Sequence, residues 1–467
     1  MKKLISILCA GAMLLSLAAC GSTSGGASAA DTNITADSVV SSDKAGSTNT
    51  GSTNTGSTVT DADIAAQLAD AVTLTFSDSG ITADGSGGFE TDGTALTITD
   101  AGAYVLTGSC ADGSVKVKKG VTGVTLVLSG LELTSADTAP ITCAKSSQVV
   151  LYAAAGTENR LADTAQNNDE TYSENADAEN AVIKCKDGSQ VTLCGSGSLV
   201  IEANGKNGIK SGATTAEEGE ASLTIRDITL TIAAPVNDAI NAEQLLVIES
   251  GTLTIAAGDD AIHCDLLLNI GAEGTDGPAI TITDCYEAIE AATLNILSGD
   301  IDITSSDDCL NAANSDLSGY AFSMNISGGT ISAFSSGGDG FDSNGSLTIS
   351  GGTVVVWTAN TADNQPLDAD GTITISGGTV LAAGGSSSMG MNLSASQTCV
   401  TFGASGMGGF GSSAITKGSA PRCPAMSSLP PLPAAVPEKT AKTPPRGAAF
   451  FCLGGGHCLL RSSVIMA

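Results

Sequence analysis

Positive charge and aromatic side chains are both scarce in this sequence. Its 467 residues include 19 Lys plus Arg against 49 Asp plus Glu, a formal net charge of -30, and only 3% are aromatic. Such a chain is a poor partner for nucleic acid or an anionic membrane surface, because both are negative. With only 12 prolines and no strict glycine period it is not a collagen. A hydrophobic content of 42% excludes a largely disordered chain.

The first 20 residues have the pattern of a bacterial export signal. Lys2 and Lys3 precede an apolar run from Leu4 to Ala19, which is too short for a secure membrane span. The run leads into Cys20 and a glycine, which resembles a lipobox, where the signal is cleaved before a cysteine that receives a lipid. An ordinary signal peptide with a chance cysteine is the alternative. We expect a lipid-anchored protein on the extracellular face of the bacterial cell membrane.

Two short segments separate this signal from the main domain. Residues 21–60 are rich in Gly, Ser, Thr and Asn and contain a five-residue repeat, which predicts a flexible linker. Ile64, Leu68 and Val72 then follow helical spacing and predict a short N-terminal capping helix within 61–72. The domain itself is expected over 61–411.

Beyond this segment strand patterns replace helical periodicity, and they repeat. Each unit combines a short polar-small-apolar motif with a strand pair around a glycine turn. The apolar centres of the motif lie at positions 209, 240, 262, 289, 310, 341 and 367, so the shortest gap is 21 residues. That length fits one coil of a right-handed parallel β-helix, in which each turn stacks on the last. An antiparallel sandwich also has short strands, but it does not need the same residue type at the same place in every unit.

Stacked coils predict columns of equivalent side chains about 4.8 Å apart. The position two residues after each apolar centre is always small, as an inward column requires: Cys185, Ser211, Ala242, Cys264, Ala291, Ala312, Ser343 and Ala369. The cysteines of the domain are dispersed, which indicates buried small side chains rather than zinc ligands.

Acidic residues fill the positions just before and just after the apolar centres. Residues 227–411 contain 22 Asp plus Glu and no Lys or Arg, so stacked like charges lack basic partners. The carboxylates must have raised pKa values, form a solvated acidic surface, or bind cations. A set of oxygen ligands alone suits Ca²⁺. The predicted calcium ligands, without assigned pairings, are Asp238, Asp259, Asp260, Glu287, Glu290, Asp307, Asp308, Asp339, Asp342 and Asp368.

Several short motifs together resemble the secreted carbohydrate-binding β-helix family. They are AYVLTG at 103–108, GVTLVLSG at 123–130, API at 139–141 and GTEN at 156–159, followed by the Asp-x-Ile and Ser-Gly-Gly-Thr repeats. The resemblance covers about 70 to 410 and implies a fold like that of pectate lyases. It also implies calcium in the coils and binding of acidic plant polysaccharide or cellulose. We expect a non-catalytic, monomeric polysaccharide-binding protein that binds no nucleic acid and meets the membrane through its lipid alone.

An enzyme remains the alternative. Asp307 and Asp308 look like the paired aspartates of polygalacturonases, and two carboxylates can activate water and protonate a leaving group. That family also uses a Gly-His-Gly and an Arg-Ile-Lys motif, and neither occurs in this sequence. A lyase needs a basic residue near its calcium. The acidic part of the chain offers none, and the upstream candidates are Lys184, Lys186, Lys206, Lys210 and Arg226.

One aromatic pair stands out among the repeats. Aligning the Gly-Gly-Thr turns places Phe334 and Trp357 outward on adjacent coils of one face, where a sugar ring can stack. Burial of the pair under an inserted loop is the equal alternative.

The end of the chain breaks the repeat. Residues 412–467 contain six basic residues, one acidic residue and eight of the 12 prolines, and no further Gly-Gly-Thr unit follows. Because a solenoid must close its last coil, and this tail lacks the pattern to do so, we predict a disordered or out-of-frame segment. A proline-rich segment that spans the cell wall is the alternative.

Overall fold

A computed structural model describes residues 64, 66–213, 221–359, 364–385 and 393–396, together with the backbone of 400–402 and 463–466. The predicted signal at 1–20 with Cys20, the linker at 21–60 and most of the tail lie outside these residues. Where the chain is described it is all-β, and its strands join into one large, mostly parallel hydrogen-bonded network. Among the described residues, no helix has the length and apolar character needed to cross a membrane.

The strands are, in chain order, β1 (Val72–Ser77), β2 (Gly80–Ala83), β3 (Phe89–Asp92), β4 (Ala95–Ile98), β5 (Gly102–Cys110), β6 (Ser114–Val117), β7 (Val124–Ser135), β8 (Ile141–Cys143), β9 (Gln148–Ala153), β10 (Glu158–Asp163), β11 (Ala181–Cys185), β12 (Gln190–Cys194), β13 (Ser198–Glu202), β14 (Asn207–Ser211), β15 (Ser222–Ile225), β16 (Thr229–Ala234) and β17 (Ile240–Ala242). They continue as β18 (Leu245–Ile248), β19 (Thr252–Ala257), β20 (Ile262–Ile270), β21 (Ala279–Asp284), β22 (Ile289–Ile296), β23 (Asp300–Ser305), β24 (Leu310–Ala312), β25 (Ser323–Ile326), β26 (Thr330–Ser335), β27 (Phe341–Ser343), β28 (Ser346–Ile349), β29 (Thr353–Thr358), β30 (Ile373–Ile375), β31 (Thr379–Gly384), β32 (Leu393–Ala395), β33 (Val400–Phe402) and β34 (Ser463–Met466).

Each coil contributes strands to three parallel stacks. The first stack, the site stack, runs β6–β8–β11–β14–β17–β20–β22–β24–β27. The second contains β9, β12, β15, β18, β20, β22, β25, β28, β30 and β32. The third, the aromatic stack, contains β7, β10, β13, β16, β19, β21, β23, β26, β29 and β31. This topology is consistent with the predicted β-helix.

The predicted apolar centres stack in register. Ile209 pairs with Ile240, and the line continues through the centres at 262, 289 and 310 to Phe341, which forms a single bridge to Leu367. All of these side chains are fully buried. The small column predicted beside them is inward too, because its members up to Ser343 are buried and Ala369 packs against the core. Alternation along each strand therefore fixes which residues face inward.

The Ser-Gly-Gly-Thr turns need both glycines, for different reasons. A Cβ on Gly351 would collide with the backbone carbonyl of Ser327 on the preceding coil, so the chain approaches too closely for any side chain. Gly352 has φ of 79°, a left-handed conformation that glycine adopts without strain. Gly377 and Gly378 repeat the same two constraints one coil later.

The predicted capping helix is shorter than expected. Ile64, Ala66 and Gln67 are helical, and a 3-10 helix follows at Leu68–Asp70. Val72 does not belong to a helix, because it begins β1. The prediction that Leu68 lies on a buried apolar face of the helix is also wrong, because this side chain is 39% exposed.

The helical residues lie on the outside of the coils. Ile64 is buried against Val127, Tyr152 and Cys194, which are outward residues of the paired strands β7, β9 and β12. The Thr125 hydroxyl donates a 2.7 Å hydrogen bond to Gln67 Oε1. These contacts cover an outer face, so within the described residues the end-capping role predicted for this helix is not shown.

Antiparallel pairs occur near both ends of the parallel stacks. β1 pairs with β2 and β3 with β4 at the N-terminal end. At the other end, β34 pairs antiparallel with β31 and β33. β34 is the described part of the segment 412–467, and the disordered or out-of-frame origin of that segment stays a prediction.

Candidate functional site

One outward position recurs along the site stack, and we call it the outer column. Its occupants, in register from coil to coil, are Lys116, Thr142, Lys184, Lys210, Asn241, His263, Glu290, Asn311 and Asp342. Asp368 extends it, because Leu367 before it bridges to Phe341. The column therefore changes from basic to acidic along a single face.

A second line of polar residues, which we call the turn column, lies two residues before each apolar centre. It consists of Asn207, Asp238, Asp260, Glu287, Asp308, Asp339 and Gln365. Its carboxylates accept hydrogen bonds from the backbone of the next coil: Asp260 N–H donates to Asp238 Oδ1 at 3.2 Å, and Asp339 N–H donates to Asp308 Oδ1 at 2.6 Å. A short acidic side chain at this place therefore joins one coil to the next.

Asp308, Asp339 and Asp342 are partly buried and do not belong to a solvated acidic surface. Burial, followed by the charges of neighbouring carboxylates, raises the pKa of Asp308 to about 8 and that of Asp339 to about 7, against hydrogen bonds that lower both values. Burial and then Asp368 raise the pKa of Asp342 to about 6. Of the three possibilities open from the sequence, the solvated acidic surface is the one that this burial disfavours.

Three of the predicted ligands converge at the downstream end. Carboxylate oxygens of Asp339, Asp342 and Asp368 lie within 4.8 Å of one another. Asp307 and Asp308 lie close by, because a methyl group added at Gly338 would collide with both of their carboxylates. Residues 227–411 contain no Lys or Arg. The donor set contains only oxygen, which fits Ca²⁺.

Asn311 is a polar residue of this site that the predicted ligand pool omits. Its side chain is only 8% exposed, and its Nδ2 donates to Glu287 Oε2 at 3.0 Å and to Glu290 Oε2 at 3.2 Å. Its Oδ1 is buried and has no hydrogen-bond partner among the described residues. An orphaned carbonyl oxygen beside carboxylates is the kind of ligand that a hard cation uses. The sequence signal that could have identified Asn311 is its position one residue after the apolar centre Leu310, which places it in the outer column.

The cluster at His263 is different, because it contains its own cation. His263 Nδ1 lies 2.8 Å from Asp260 Oδ2 and 3.6 Å from Glu290 Oε1, and its Nε2 lies 2.8 Å from Asp265 Oδ1. Burial opposes the charged ring, but the hydrogen bonds to Asp260 and Asp265 and the nearby Glu290 raise the pKa of His263 to about 11. A protonated imidazole has no free electron pair for a metal. His263 thus forms an ion cluster with Asp260 and Asp265, beside Glu290, and this group fits Ca²⁺ less well than the downstream group.

The remaining predicted ligands do not join a single centre. Asp238 Oδ2 accepts a 2.6 Å hydrogen bond from Asn241 Nδ2, so this carboxylate is satisfied within the protein. Asp259 lies one coil before Tyr286, and Asp307 one coil after it. Burial raises the pKa of Asp259. The ten residues therefore form a ladder over several coils, and the closest approach of three occurs at Asp339, Asp342 and Asp368.

The aromatic pair lies as the repeat alignment predicts. Phe334 and Trp357 are register partners on β26 and β29, with ring centroids 6.1 Å apart and an interplanar angle of 39°. Trp357 is 41% exposed and Phe334 is half-buried. In the described residues, the pair is thus open to solvent on the outside of the aromatic stack. The turn that carries Gly338 and Asp339 begins just after Phe334.

Sequence reasoning missed a second exposed aromatic side chain. Tyr286 is 49% exposed, and its position in the chain immediately precedes Glu287 of the turn column. A hydrogen bond with Asp307, and then the charge of that carboxylate, raise the pKa of the Tyr286 phenol to about 12. The ring replaces the acid found at this position in neighbouring coils, and that irregularity was the available signal.

Comparisons with known proteins agree with a carbohydrate-binding role. Residues 92–388 match a family described as carbohydrate-binding domain-containing protein. A curated protein of the same description from Acetivibrio thermocellus is 31% identical over 137 residues, which are 29% of this chain and 46% of that protein. The match thus spans about half the length of this relative. A solved structure of a polysaccharide lyase-like protein from C. thermocellum, a gadolinium derivative, is 21% identical and covers 69% of this chain and 96% of the other, with a TM-score of 0.34.

Proposed function

This chain belongs to the family of carbohydrate-binding domain-containing proteins, and on that premise we propose that it binds an acidic polysaccharide with the help of calcium. The ligand class is a pectin-like polyuronate, with cellulosic glycan as the second candidate, and the role is binding rather than cleavage. The observation that carries the proposal is the convergence of Asp339, Asp342 and Asp368 with no basic partner nearby in sequence.

Calcium accounts for the chemistry of an acidic protein with an acidic ligand. Asp339, Asp342 and Asp368 are the proposed protein ligands, and Asp308 and Asn311 on the adjoining coil offer further oxygen donors. When bound, the ion supplies positive charge that attracts carboxylates of both protein and sugar. These side chains hold their positions through the backbone of the coils, as in the Gln365 N–H that donates to Asp339 Oδ1.

The aromatic pair supplies the second part of the proposed site. Phe334 is five residues before Asp339, so at about 3.3 Å per residue the two lie at most about 17 Å apart. One polysaccharide chain is therefore long enough to stack a sugar ring on the exposed face of Trp357 and also to reach the acidic site.

The cellular setting follows from the export signal. We propose that Cys20 carries a lipid and that the domain, a right-handed β-helix, stands on the extracellular face of the membrane. Calcium is plentiful outside the cell, which suits sites of modest affinity. A lipidated N-terminus is measurable as the mass of the N-terminal peptide of membrane-extracted protein, and a Cys20→Ala variant would be released into the medium.

Retention on a glycan array, with Ca²⁺ or with EDTA, tests the binding function. We expect retention on polygalacturonate that EDTA abolishes. Retention of no glycan would contradict the function altogether, and retention unchanged by EDTA would contradict the calcium requirement. Incubation with polygalacturonate and Ca²⁺ tests the alternative activity, because unsaturated ends or new reducing ends would show an enzyme.

Variants at the aromatic pair test its part in binding. Trp357→Ala should weaken retention, since loss of an aromatic contact costs about 0.5–1.5 kcal/mol beyond the lost area. Trp357→Phe should keep most of the affinity because it keeps a ring. Val236, another exposed apolar side chain at 49%, offers the control Val236→Ala, which should have no effect. Equal retention of all three variants would show that Trp357 is not part of the binding site.

A further inference from the structure

Two lysines are register partners in the upstream part of the outer column. Lys184 and Lys210 are register partners on β11 and β14, so their backbones lie about 4.8 Å apart. Both side chains are half-buried. Like charges directly across strands destabilise a sheet unless something neutralises them.

Every other basic residue between 145 and 226 has a carboxylate partner. The ion pairs are Lys145–Asp187, Arg160–Glu202, Lys186–Glu179, Lys206–Glu170, Lys210–Glu243 and Arg226–Asp227. Lys184 has no ion pair within the part of the chain that the structure describes. Among the described residues, Lys184 is therefore the one cation of this region without an ion pair.

The carboxylates whose charges act on Lys184 form ion pairs with other lysines. Glu179 lies 2.6 Å from Lys186 Nζ, and Glu243 lies 3.5 Å from Lys210 Nζ. Asp187 lies 2.6 Å from Lys145 Nζ. Burial, and then the charge of Lys210, lower the pKa of Lys184 despite these acids. The Lys184 ammonium thus has acids in its surroundings, but within the described residues it has no ion pair of its own to balance its partial desolvation.

We propose that Lys184, with Lys210 beside it, binds a carboxylate of the acidic polysaccharide. The site deepens the proposed function and rests on it. A uronic acid fits because it brings one carboxylate per sugar, and a single carboxylate balances the one cation left over. The same polysaccharide chain then meets the protein in two ways, at an ammonium upstream and near the acidic group downstream.

The register of the outer column fixes the distance between the two contacts. Lys184 is six strand steps from Asp342, about 29 Å along the stack at 4.8 Å per step. A short oligouronate therefore reaches one contact only. A chain longer than this distance holds both, and the second contact then forms at a high effective concentration.

Affinity measurements with three proteins and two ligands test the proposal. The proteins are wild type, Lys184→Gln and Lys118→Gln, where Lys118 is an exposed lysine just after β6 and outside the column. The ligands are polygalacturonate and the same polymer with its carboxylates methyl-esterified, both in Ca²⁺. We expect Lys184→Gln to bind polygalacturonate about tenfold more weakly, the loss typical of a hydrogen bond to a charged group. Lys118→Gln should bind like wild type, and Lys184→Arg should keep most of the affinity.

The results distinguish failure of the Lys184 contact from failure of the proposed polysaccharide-binding function. If wild type is not retained on polygalacturonate, the proposed function and the inference fall together. If wild type is retained and Lys184→Gln binds equally well, only the inference is wrong. An equal loss for the esterified polymer would also overturn it, because no carboxylate is then involved. If Lys184→Gln lowers the melting temperature of the free protein and leaves retention unchanged, Lys184 has a structural role. A group of the protein then neutralises its ammonium, and the inference is wrong.

Discussion

The coils before and after Arg226 share one interior and differ in their exterior. Ile209 on the upstream side and Ile289 on the downstream side occupy the same buried column. Outside, several upstream acids form ion pairs with bases, as in Lys145–Asp187 and Arg160–Glu202, whereas the downstream coils contain no Lys or Arg. The contrast shows that the inward residues set the coil and leave the outward residues free to carry binding chemistry.

Most pKa shifts of the carboxylates follow the same division, and upstream Asp163, whose pKa burial raises, is the exception. A hydrogen bond from Lys145 lowers the pKa of Asp187, and one from Arg160 lowers that of Glu202. Downstream, burial and neighbouring carboxylates raise the pKa of Asp308 to about 8 and that of Glu290 to about 8. The same scaffold therefore holds carboxylates charged in one half and favours protons or cations on them in the other.

Core substitutions should have the largest effect and should be equal in both halves. Ile209→Ala and Ile289→Ala each remove a fully buried side chain, so each should lower the free energy of unfolding by about 2–5 kcal/mol. Denaturant unfolding of both variants in EDTA measures this. A cost that differs by more than twofold between them would show that the interior, and not only the exterior, divides the molecule.

Calcium should stabilise the protein through its downstream half alone. Free Ca²⁺ at 100 times the dissociation constant of one site should add about 2.7 kcal/mol to the free energy of unfolding. Asp342→Asn should abolish this gain, because it removes one of the three converging carboxylates. The upstream control Asp187→Asn should keep it. Calorimetric melting with and without Ca²⁺ distinguishes these results, and a gain that survives Asp342→Asn would place the ion elsewhere.

Without metal, stability should fall as the pH rises. The folded protein holds protons on Asp308 and Glu290 up to about pH 8, whereas the unfolded chain releases them near pH 4. The folded state therefore binds more protons between these limits, so stability is greatest below about pH 4 to 5 and declines toward pH 8. Melting in EDTA across this range should show a fall of several degrees, and Asp308→Asn should flatten it. A rise in melting temperature with pH would mean that the upstream ion pairs dominate.

Breaking an upstream ion pair should have the smallest effect. Arg160 and Glu202 have side chains that are each 41% exposed, so solvent and salt screen their attraction. Arg160→Met should cost at most about 1 kcal/mol of unfolding free energy, and the cost should shrink in high salt. Urea unfolding at low and high salt measures it. A larger cost that salt leaves unchanged would show that this pair is structural.

Much of the coil was predictable from sequence because its causes are local. The apolar centres, the small column and the Gly-Gly turns each follow from alternation or from close backbone approach. The outward position of Trp357 followed from the same alternation. The N-terminal helix was less predictable, because Ile64 packs against residues of β7, β9 and β12. These contacts are distant in sequence, so the local pattern does not indicate them.

The candidate site was predictable in composition but not in arrangement. The sequence showed that the downstream acids lack bases, yet not that Asp339, Asp342 and Asp368 converge or that Asn311 Oδ1 is left without a partner. The sequence also did not distinguish Lys184 from the other upstream basic residues. The register between coils decides which side chains meet, and insertions in some coils obscure that register in a single sequence.

The sequence by itself determined the repeating coil, its inward residues and its excess of downstream negative charge. These depend on side-chain size and on alternation over a few residues, so they can be read along the chain. Only the tertiary structure decided which carboxylates have raised pKa values, that His263 forms an ion cluster, and that Lys184 has no ion pair among the described residues. Each of these depends on burial and on distances between residues of different coils, which stacking creates and chain order does not specify.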